Sequence, residues 1–550
     1  MLSAPLEPIP TPRHLLEVRY DIRGPLARRA MEIEREGHEV LKLNIGNPAA
    51  FGFRAPARLR EAIVENLGAS EGYCHQKGIL PAREAIARDA RARGLVGVTA
   101  DDVFMGNGVS ELILMTMEAL LSPGDEVLLP APDYPLWTAA VVLTGAKPVY
   151  YTCPPAAGCV PDPDEIDRLI TPHTKAIVVI NPNNPTGAVY PEAVVTRIAR
   201  IAEERRLVLF SDEIYDRILY DGATHRPSAL GCEGTLCGTF GGLSKVHRAC
   251  GFRTGWVVWS GARDHARKYF ETLELLASLR LCSNVPGQWA VMPALAHPES
   301  IDELTAPDGR LGRQRAAVLR GVASSKHLTV VPPRGALYAF VGVKPDALPG
   351  FDDARFAMAL LERKHVLVVP GSSFHVDYRD HFRLTLLPPE DVMVTVFERI
   401  ERGGATPPPS VPSDIELMLD RIEAAAKNVY ADHGLPIANG HYARNSPADP
   451  WRFLGERLDV EARWALVTAE DGAPRRRFAR LEDLGSYLEA EPDVVRASEV
   501  LRGCRHLRER LRTSGDPDLG EDFGVAIELG EVWRRMETDR QPRVQAAAAH

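Results

Sequence analysis

Gly241-Gly-Leu-Ser-Lys245-Val-His-Arg-Ala-Cys-Gly-Phe-Arg253-Thr-Gly-Trp256 is the stretch around which the rest of the chain is organised. It follows an apolar run, residues 235–240, that reads as a β-strand. Lys245 therefore stands just past a strand end, flanked by Gly and Ser, where its amine is free to reach into a pocket. Lysine amines form Schiff bases with aldehydes, and pyridoxal phosphate (PLP) is the commonest protein-bound aldehyde of that kind. Arg253, eight residues further on, suits a phosphate, because the guanidinium fork meets two oxygens at once. Taken alone, the spacing equally describes a solvated turn lysine and a surface arginine, so the remainder of the chain has to decide.

The 550 residues are 45% hydrophobic and 25% charged, which fits a globular enzyme of two or more domains. A net charge of −9 gives no electrostatic case for nucleic acid or an anionic membrane. The eight cysteines are scattered, with no Cys-x-x-Cys and no histidine at zinc spacing. They read as buried thiols of a reducing compartment, and no metal site is expected. Residues 1–12 are Pro-rich and lack the apolar centre of a signal peptide. No apolar run approaches the roughly 18 residues a membrane helix needs, so a cytoplasmic location is expected.

From about residue 100 the pattern becomes alternating. Residues 103–105, 126–129, 147–151, 175–180, 207–210, 236–240 and 256–259 are short apolar runs, most of them separated by helix-like stretches such as 110–121 and 191–206. That pattern predicts an α/β fold with a mostly parallel, seven-stranded sheet sandwiched by helices. Ligands of such sheets sit at the carboxyl ends of the strands, and there the polar motifs cluster: Asn107-Gly-Val-Ser110, Pro132-Asp-Tyr-Pro135, Asn181-Pro-Asn-Asn-Pro-Thr-Gly187 and Asp212-Glu-Ile-Tyr215.

Upstream, residues 40–48 read as a short strand, and 56–67 and 80–93 as helices. Downstream, helices mix with strands at 327–331, 337–343 and 382–387 in a smaller α+β lobe. The expected plan is an arm and part of the small lobe in 1–55, a large domain in 56–285 and a small domain in 286–402. A linker, 403–412, then leads into an extension, 413–550, with helical spacing at 413–430, 481–488, 493–511 and 523–536.

Each strand-end motif makes sense as one contact to PLP, and each has a plainer reading. Asp212 would keep a pyridine nitrogen protonated, or cap a helix. Gly108, Val109 and Ser110 open a helix whose free amides suit a phosphate, or form an ordinary N-terminus. Tyr134 would stack on the ring, or fill the core. Asn184, with Tyr215, would donate to a ring oxygen, or serve a turn.

In this order and spacing the motifs resemble those of the fold-type I, class I aminotransferases, over residues 13 to about 402. Tyr20-Asp-Ile-Arg-Gly-Pro25, Leu43-Asn-Ile-Gly-Asn-Pro48, Ala131-Pro-Asp-Tyr-Pro-Leu-Trp137 and Gly241-Gly-Leu-Ser-Lys245 carry the resemblance, within the family closest to bacterial glutamate–pyruvate (alanine) transaminases. It implies PLP as cofactor, Lys245 as its Schiff-base lysine and Asp212 as the partner of its ring nitrogen. It also implies Asn184 and Tyr215 on the ring oxygen, Tyr134 on the ring face, and Gly108, Val109, Ser110 and Arg253 around the phosphate. Tyr73 would reach the phosphate from a neighbouring subunit, which makes a homodimer the expected state. Arg383 would take the substrate α-carboxylate with Gly46 closing over it, and Tyr20 and Arg23 would approach the substrate side chain. Amino acids and 2-oxo acids are the implied substrates.

Two positions depart from the family pattern. Gly242 stands where many relatives carry a phosphate-binding serine, and Val246-His247 stands for Thr-Tyr; His247 reads as a neutral filler, the alternative being a hydrogen bond near the phosphate. The rival readings are an aminotransferase for another amino donor or another PLP reaction, such as a lyase, on the same scaffold, and a PLP-sensing regulator. The regulator is disfavoured because the extension is C-terminal and the N-terminal segment is too short for a DNA-binding domain. The extension itself has no counterpart in the family and reads as a solvated helical surface or a module for a protein partner.

Overall fold

The computed structural model describes residues 15, 18, 24–344, 347–348 and 350–404, and in the extension 467–468 and 474–476. Tyr20, Arg23 and the helices expected after residue 412 lie outside the described residues. The chain divides into two compact units, Ile9–Thr406 and a second made of Met1–Pro8 with Pro407–His550. Within the second, Val467–Thr468 pairs antiparallel with Pro474–Arg476.

Among its described residues the first unit has thirteen strands. In chain order they are β1 (Leu41–Lys42), β2 (Val103–Gly106), β3 (Glu126–Ala131), β4 (Lys147–Thr152), β5 (Thr174–Ile180), β6 (Val208–Asp212) and β7 (Leu236–Gly242). There follow β8 (Gly255–Gly261), β9 (Leu328–Val330), β10 (Tyr338–Val343), β11 (Val366–Leu367), β12 (Val369–Pro370) and β13 (His381–Thr385). Seven of them form one sheet in the order β2-β8-β7-β6-β5-β3-β4, parallel except for β8, which runs against both its neighbours.

The sheet is buried on both faces, which is why its strands read as continuous apolar runs rather than alternating ones. In β5, Ile177 and Val179 enter one core while Ala176, Val178 and Ile180 enter the other. The helix Glu192–Arg205 covers the first face with Val195, Ile198, Ala199, Ile201 and Ala202. The second is covered by Leu112, Ile113 and Met117 of the helix Val109–Leu120 and by Leu273 and Ala277 of Arg267–Leu279. At the centre of the second core Trp259 is fully buried, meeting Phe210, Tyr269 and Phe270 edge-on at 5.3–6.0 Å.

The smaller lobe has its own antiparallel sheet, β12-β13-β10-β9, covered by the helices Arg310–Ser324 and Glu390–Gly404. The run 40–48 contributes only β1, paired in parallel with β11, because Gly46 and Pro48 stop the strand. Leu43 and Phe53 lie in this lobe's core, so the N-terminal segment belongs with it. Near the expected 285/286 division, Val285, Ala290, Val291 and Ala294 are buried in the large sheet's core, and Ile301 is the next residue buried in the small lobe's core. The short helices Val285–Gln288 and Val291–Ala296 carry enough apolar surface on one side to close the larger sheet first. All seven described cysteines are free; Cys74, Cys250 and Cys282 are half-buried rather than buried.

Among the described residues the last core residue of the first unit is Ile400, and the unit ends at Thr406. A chain ended at Thr406 is expected to fold with the same denaturant midpoint for this unit, since separately compact segments fold apart. Insoluble or destabilised protein would show that the extension completes its core.

Candidate active site

The topology gathers the site at one edge. β2, β3, β5, β6 and β7 all point their carboxyl ends there, delivering Asn107–Ser110, Asp133–Tyr134, Asn181–Asn184, Asp212 and Ser244–Lys245. The reversal of β8 completes the set. Because that strand starts at this edge, Arg253, two residues before Gly255, returns to within reach of Lys245's loop. The small lobe closes the opposite side with Ile45–Asn47, Tyr338 and Arg383. Between the lobes lies a cleft of about 720 Å³ lined by Gly46, Val109, Ser110, Tyr134, Asn184, Asp212, Tyr215, Lys245, Arg253 and Arg383.

One end of the cleft is built for an anion. The helix Val109–Leu120 begins at Gly108, whose φ of +83° excludes most side chains, and no side chain caps its amides. A Cβ at Gly108 would collide with the Arg253 guanidinium, so the arginine lies directly against the helix N-terminus. Arg253 is itself oriented by donating to the carbonyls of Asn107 at 2.8 Å and Cys250 at 3.0 Å. Free amides, the helix dipole and a guanidinium together match a phosphate.

The floor holds Asp212, fully buried at the end of β6. Its carboxylate accepts from the Trp137 indole N–H at 3.0 Å and the Ile214 amide at 3.3 Å. Burial still wins: it pushes the carboxyl up to about 6, against the pull of those two donors. A buried carboxylate so poorly compensated calls for a cationic partner, such as a protonated pyridine nitrogen. Across the cleft the Lys245 ammonium donates to the Gly46 carbonyl at 2.7 Å, tying the loop after β7 to the small lobe.

Arg383 is almost fully buried in β13, opposite Phe340 of β10. It donates to Asn184 Oδ1 at 3.0 Å and to the Asn44 carbonyl, and its guanidinium lies 4.4 Å from the Tyr338 ring and 4.9 Å from Phe374. Tyr215 donates its hydroxyl to that of Tyr338 at 3.1 Å, and burial holds its phenol well above the usual value. Tyr134 is half-buried at the start of the helix Pro135–Leu143. Its loop is pinned by the neighbouring Asp133, which contacts His375 Nδ1 at 2.8 Å and donates its amide to the Phe374 carbonyl at 3.1 Å.

Tyr73 is absent from this cleft; its side chain stands 81% exposed on the surface. Gly242 and His247 also lie elsewhere. Both line a separate cavity of about 50 Å³ bordered by Asp89, Arg93, Glu213 and Asp216. Burial, then the neighbouring Arg248, lowers His247 to about 4, so its imidazole is neutral and does not serve the anion end. A Cβ at Gly242 would meet the Thr254 carbonyl at 3.0 Å and Ile214 at 3.1 Å, so a serine there would have to displace backbone.

Three participants went unassigned in the sequence. Trp137 supplies the donor to Asp212; a buried indole N–H needs an acceptor, and that was the available signal. Ser244, beside the lysine, lines the cleft. Tyr338 is placed by the β10–β13 register, which no local pattern reveals. Among the described residues there is no group of histidine, cysteine and carboxylate side chains able to hold a metal, and no helix long and apolar enough to cross a membrane.

Residues 38–400 match the family model for aminotransferase class I and II. The chain is 47% identical over 386 residues to the glutamate-pyruvate aminotransferase AlaA of Escherichia coli K12, covering 70% of this chain and 95% of that protein. With the alanine aminotransferase of Mycobacterium tuberculosis H37Rv it shares 45% over 387 residues, covering 70% and 90%. A crystal structure of an Escherichia coli aminotransferase superposes with a TM-score of 0.71 at 46% identity, over 73% of this chain and 99% of that one. The aspartate aminotransferase of Thermus thermophilus bound to maleate gives 0.63 at 31%, over 72% and 100%. The anion end, the buried carboxyl and the cleft lysine fit the cofactor of that family, and the chain belongs to the PLP-dependent class I and II aminotransferases.

Proposed function

We propose that this aminotransferase exchanges the amino group between L-alanine and 2-oxoglutarate, giving pyruvate and L-glutamate. The observation that carries the reading is the convergence, in one cleft, of Lys245, the buried Asp212 and the aromatic-clamped Arg383. The substrate pair is supported by the 45–47% identity to proteins named for it. PLP, when bound, supplies an aldehyde to take the amino group and a protonated ring to accept the electron pair left at the substrate Cα.

The protein's part follows from its own groups. Val109, Ser110 and Arg253, with Gly108 leaving room, would hold the phosphate, and Asp212 would keep the ring nitrogen protonated. Tyr134 would cover the ring face, and Asn184 and Tyr215 would donate to the ring oxygen. Arg383 takes the α-carboxylate beneath Gly46, since a bidentate fork fixes both position and plane. Lys245 Nζ would then remove the proton from Cα as general base and, as general acid, deliver it to the cofactor carbon that carried the aldehyde.

Class I and II aminotransferases are typically dimeric, and Tyr73 is read as reaching the partner's phosphate from this chain's surface. Glutamate carries a second carboxylate that Arg383 cannot also hold; Arg23 is assigned to it, with Tyr20 beside the side chain, and Arg23 is read as acting across the dimer. Residues 413–550 carry none of these groups; a solvated helical surface is the favoured reading for them, with a module for a protein partner as the alternative.

A panel of amino donors against pyruvate and 2-oxoglutarate tests the substrate pair. Alanine with 2-oxoglutarate should exceed aspartate and aromatic donors in kcat/KM by roughly tenfold or more. A preference for aspartate would overturn the substrate and leave the family standing. On the same panel, Arg23→Ala should cost glutamate about 2–5 kcal/mol in kcat/KM and alanine little. Equal losses would remove Arg23 from the side-chain site.

Asp212 gives a prediction in pH. Its carboxyl is raised to about 6 in the folded protein, so the fold holds this proton more tightly than the unfolded chain does. Its contribution therefore falls as pH rises from about 4 through about 6 and stays low above. Cofactor-stripped Asp212→Asn should be more stable than the cofactor-stripped parent above pH 6, by on the order of 3 kcal/mol, and lose that advantage near pH 4. Denaturant midpoints across that range check it; a parent that is the more stable at pH 8 would contradict the account of the buried carboxyl.

A further inference from the structure

We propose that Tyr338 is a positioning residue of this reaction, holding Tyr215 through its hydroxyl and the plane of Arg383 through its ring. The inference rests on the reading of Tyr215 at the ring oxygen and of Arg383 at the α-carboxylate.

Tyr338 opens β10, opposite Thr385 of β13, and is buried. It belongs to the small lobe, yet its hydroxyl lies 3.1 Å from that of Tyr215, which follows β6 of the large sheet. The two rings meet edge to face, at 5.8 Å and 79°. Each phenol hydroxyl both donates and accepts. A proton of Tyr215 directed to another acceptor can therefore be replaced, within the pair, by one donated from Tyr338. Donation onto the Tyr215 oxygen polarises its O–H and strengthens the hydrogen bond Tyr215 itself gives. Burial keeps Tyr215 protonated, so it stays available as a donor.

The ring does separate work. The Arg383 guanidinium lies between two aromatic groups, Tyr338 at 4.4 Å and Phe374 at 4.9 Å, while Asn184 and the Asn44 carbonyl take N–H groups from its edge. Aromatic contact favours the cation, and with the edge bonds it leaves the guanidinium little freedom to rotate. A flat cation fixed in this way is pre-organised for a planar carboxylate. The same tyrosine also sets the approach of the 45–47 loop, for a Cβ at Gly46 would collide with its hydroxyl, and the Gly46 carbonyl accepts from Lys245. One side chain thus touches the neighbours of the ring oxygen, the α-carboxylate and the proton-transferring amine.

The two functions separate by substitution in the PLP-loaded enzyme. Tyr338→Phe keeps the ring and removes the hydroxyl. The pH midpoint of the bound cofactor's visible absorption should move upward, because a weaker hydrogen bond onto the ring oxygen lets the neutral form persist to higher pH. kcat should fall about 2- to 12-fold, with KM for L-alanine changed less than about twofold. Tyr338→Leu removes the ring as well and should add a rise of roughly 2- to 30-fold in that KM. Arg383→Lys serves as reference, since it raises KM if Arg383 binds the carboxylate at all.

An unmoved midpoint in Tyr338→Phe together with an unmoved KM in Tyr338→Leu, while Arg383→Lys raises KM, overturns the inference and spares the carboxylate reading. An unmoved KM in Arg383→Lys overturns that reading itself. If Tyr338→Leu yields no folded protein, the midpoint of Tyr338→Phe decides alone: a shift supports the inference and its absence overturns it.

Discussion

The burial of the Asp212 carboxyl is the constraint on which the site depends. A carboxylate at the centre of a sheet edge, whose burial outweighs the Trp137 indole N–H, the Ile214 amide and the charge of Lys245, is held at a cost. A cation brought against it recovers that cost, so the fold favours a cation at this point. Its neighbours make sense from there. Trp137 can reach Asp212 because the helix Pro135–Leu143 starts directly after the β3 loop and packs its indole against Phe210 and Phe240. Those aromatic contacts fix the donor and also exclude the water that would relax the carboxyl.

Topology then sets distances that the local sequence does not. A fully parallel sheet would carry residues 253–255 away from the site after the loop that follows β7. The antiparallel β8 instead starts at the functional edge and sets Arg253 against Gly108. The small lobe supplies the other half by the β10–β13 register, which pairs Phe340 with Arg383 and leaves Tyr338 two positions along. The cleft is thus walled by both lobes, which meet across it through the Lys245–Gly46, Tyr215–Tyr338 and Asn184–Arg383 contacts, among others.

Much of this was legible in the chain. The seven strands could be read because strands buried on both faces leave unbroken apolar runs, as in Thr174–Ile180. The cleft residues could be read because each closes a strand with a polar motif, and because their order resembles that of a known family. What escaped has physical reasons. The reversal of β8 leaves no mark in an apolar run that reads alike in either direction. Residues 286–296 look like the start of the next lobe because a short amphipathic helix does not announce which core it covers. Tyr338 and Trp137 act through partners 123 and 75 residues away, and such contacts have no local periodicity. Gly242 looked like a missing contact in the anion site, whereas it and His247 border a different cavity.

The central claim is that Lys245 is the residue by which this cleft bonds its cofactor. Reduction of the PLP-loaded enzyme with borohydride, followed by proteolysis and mass mapping, tests it most directly. The account predicts a single pyridoxyl group on the peptide containing Lys245, and none after Lys245→Ala. A pyridoxyl group on another lysine, or one that persists in Lys245→Ala, would contradict it.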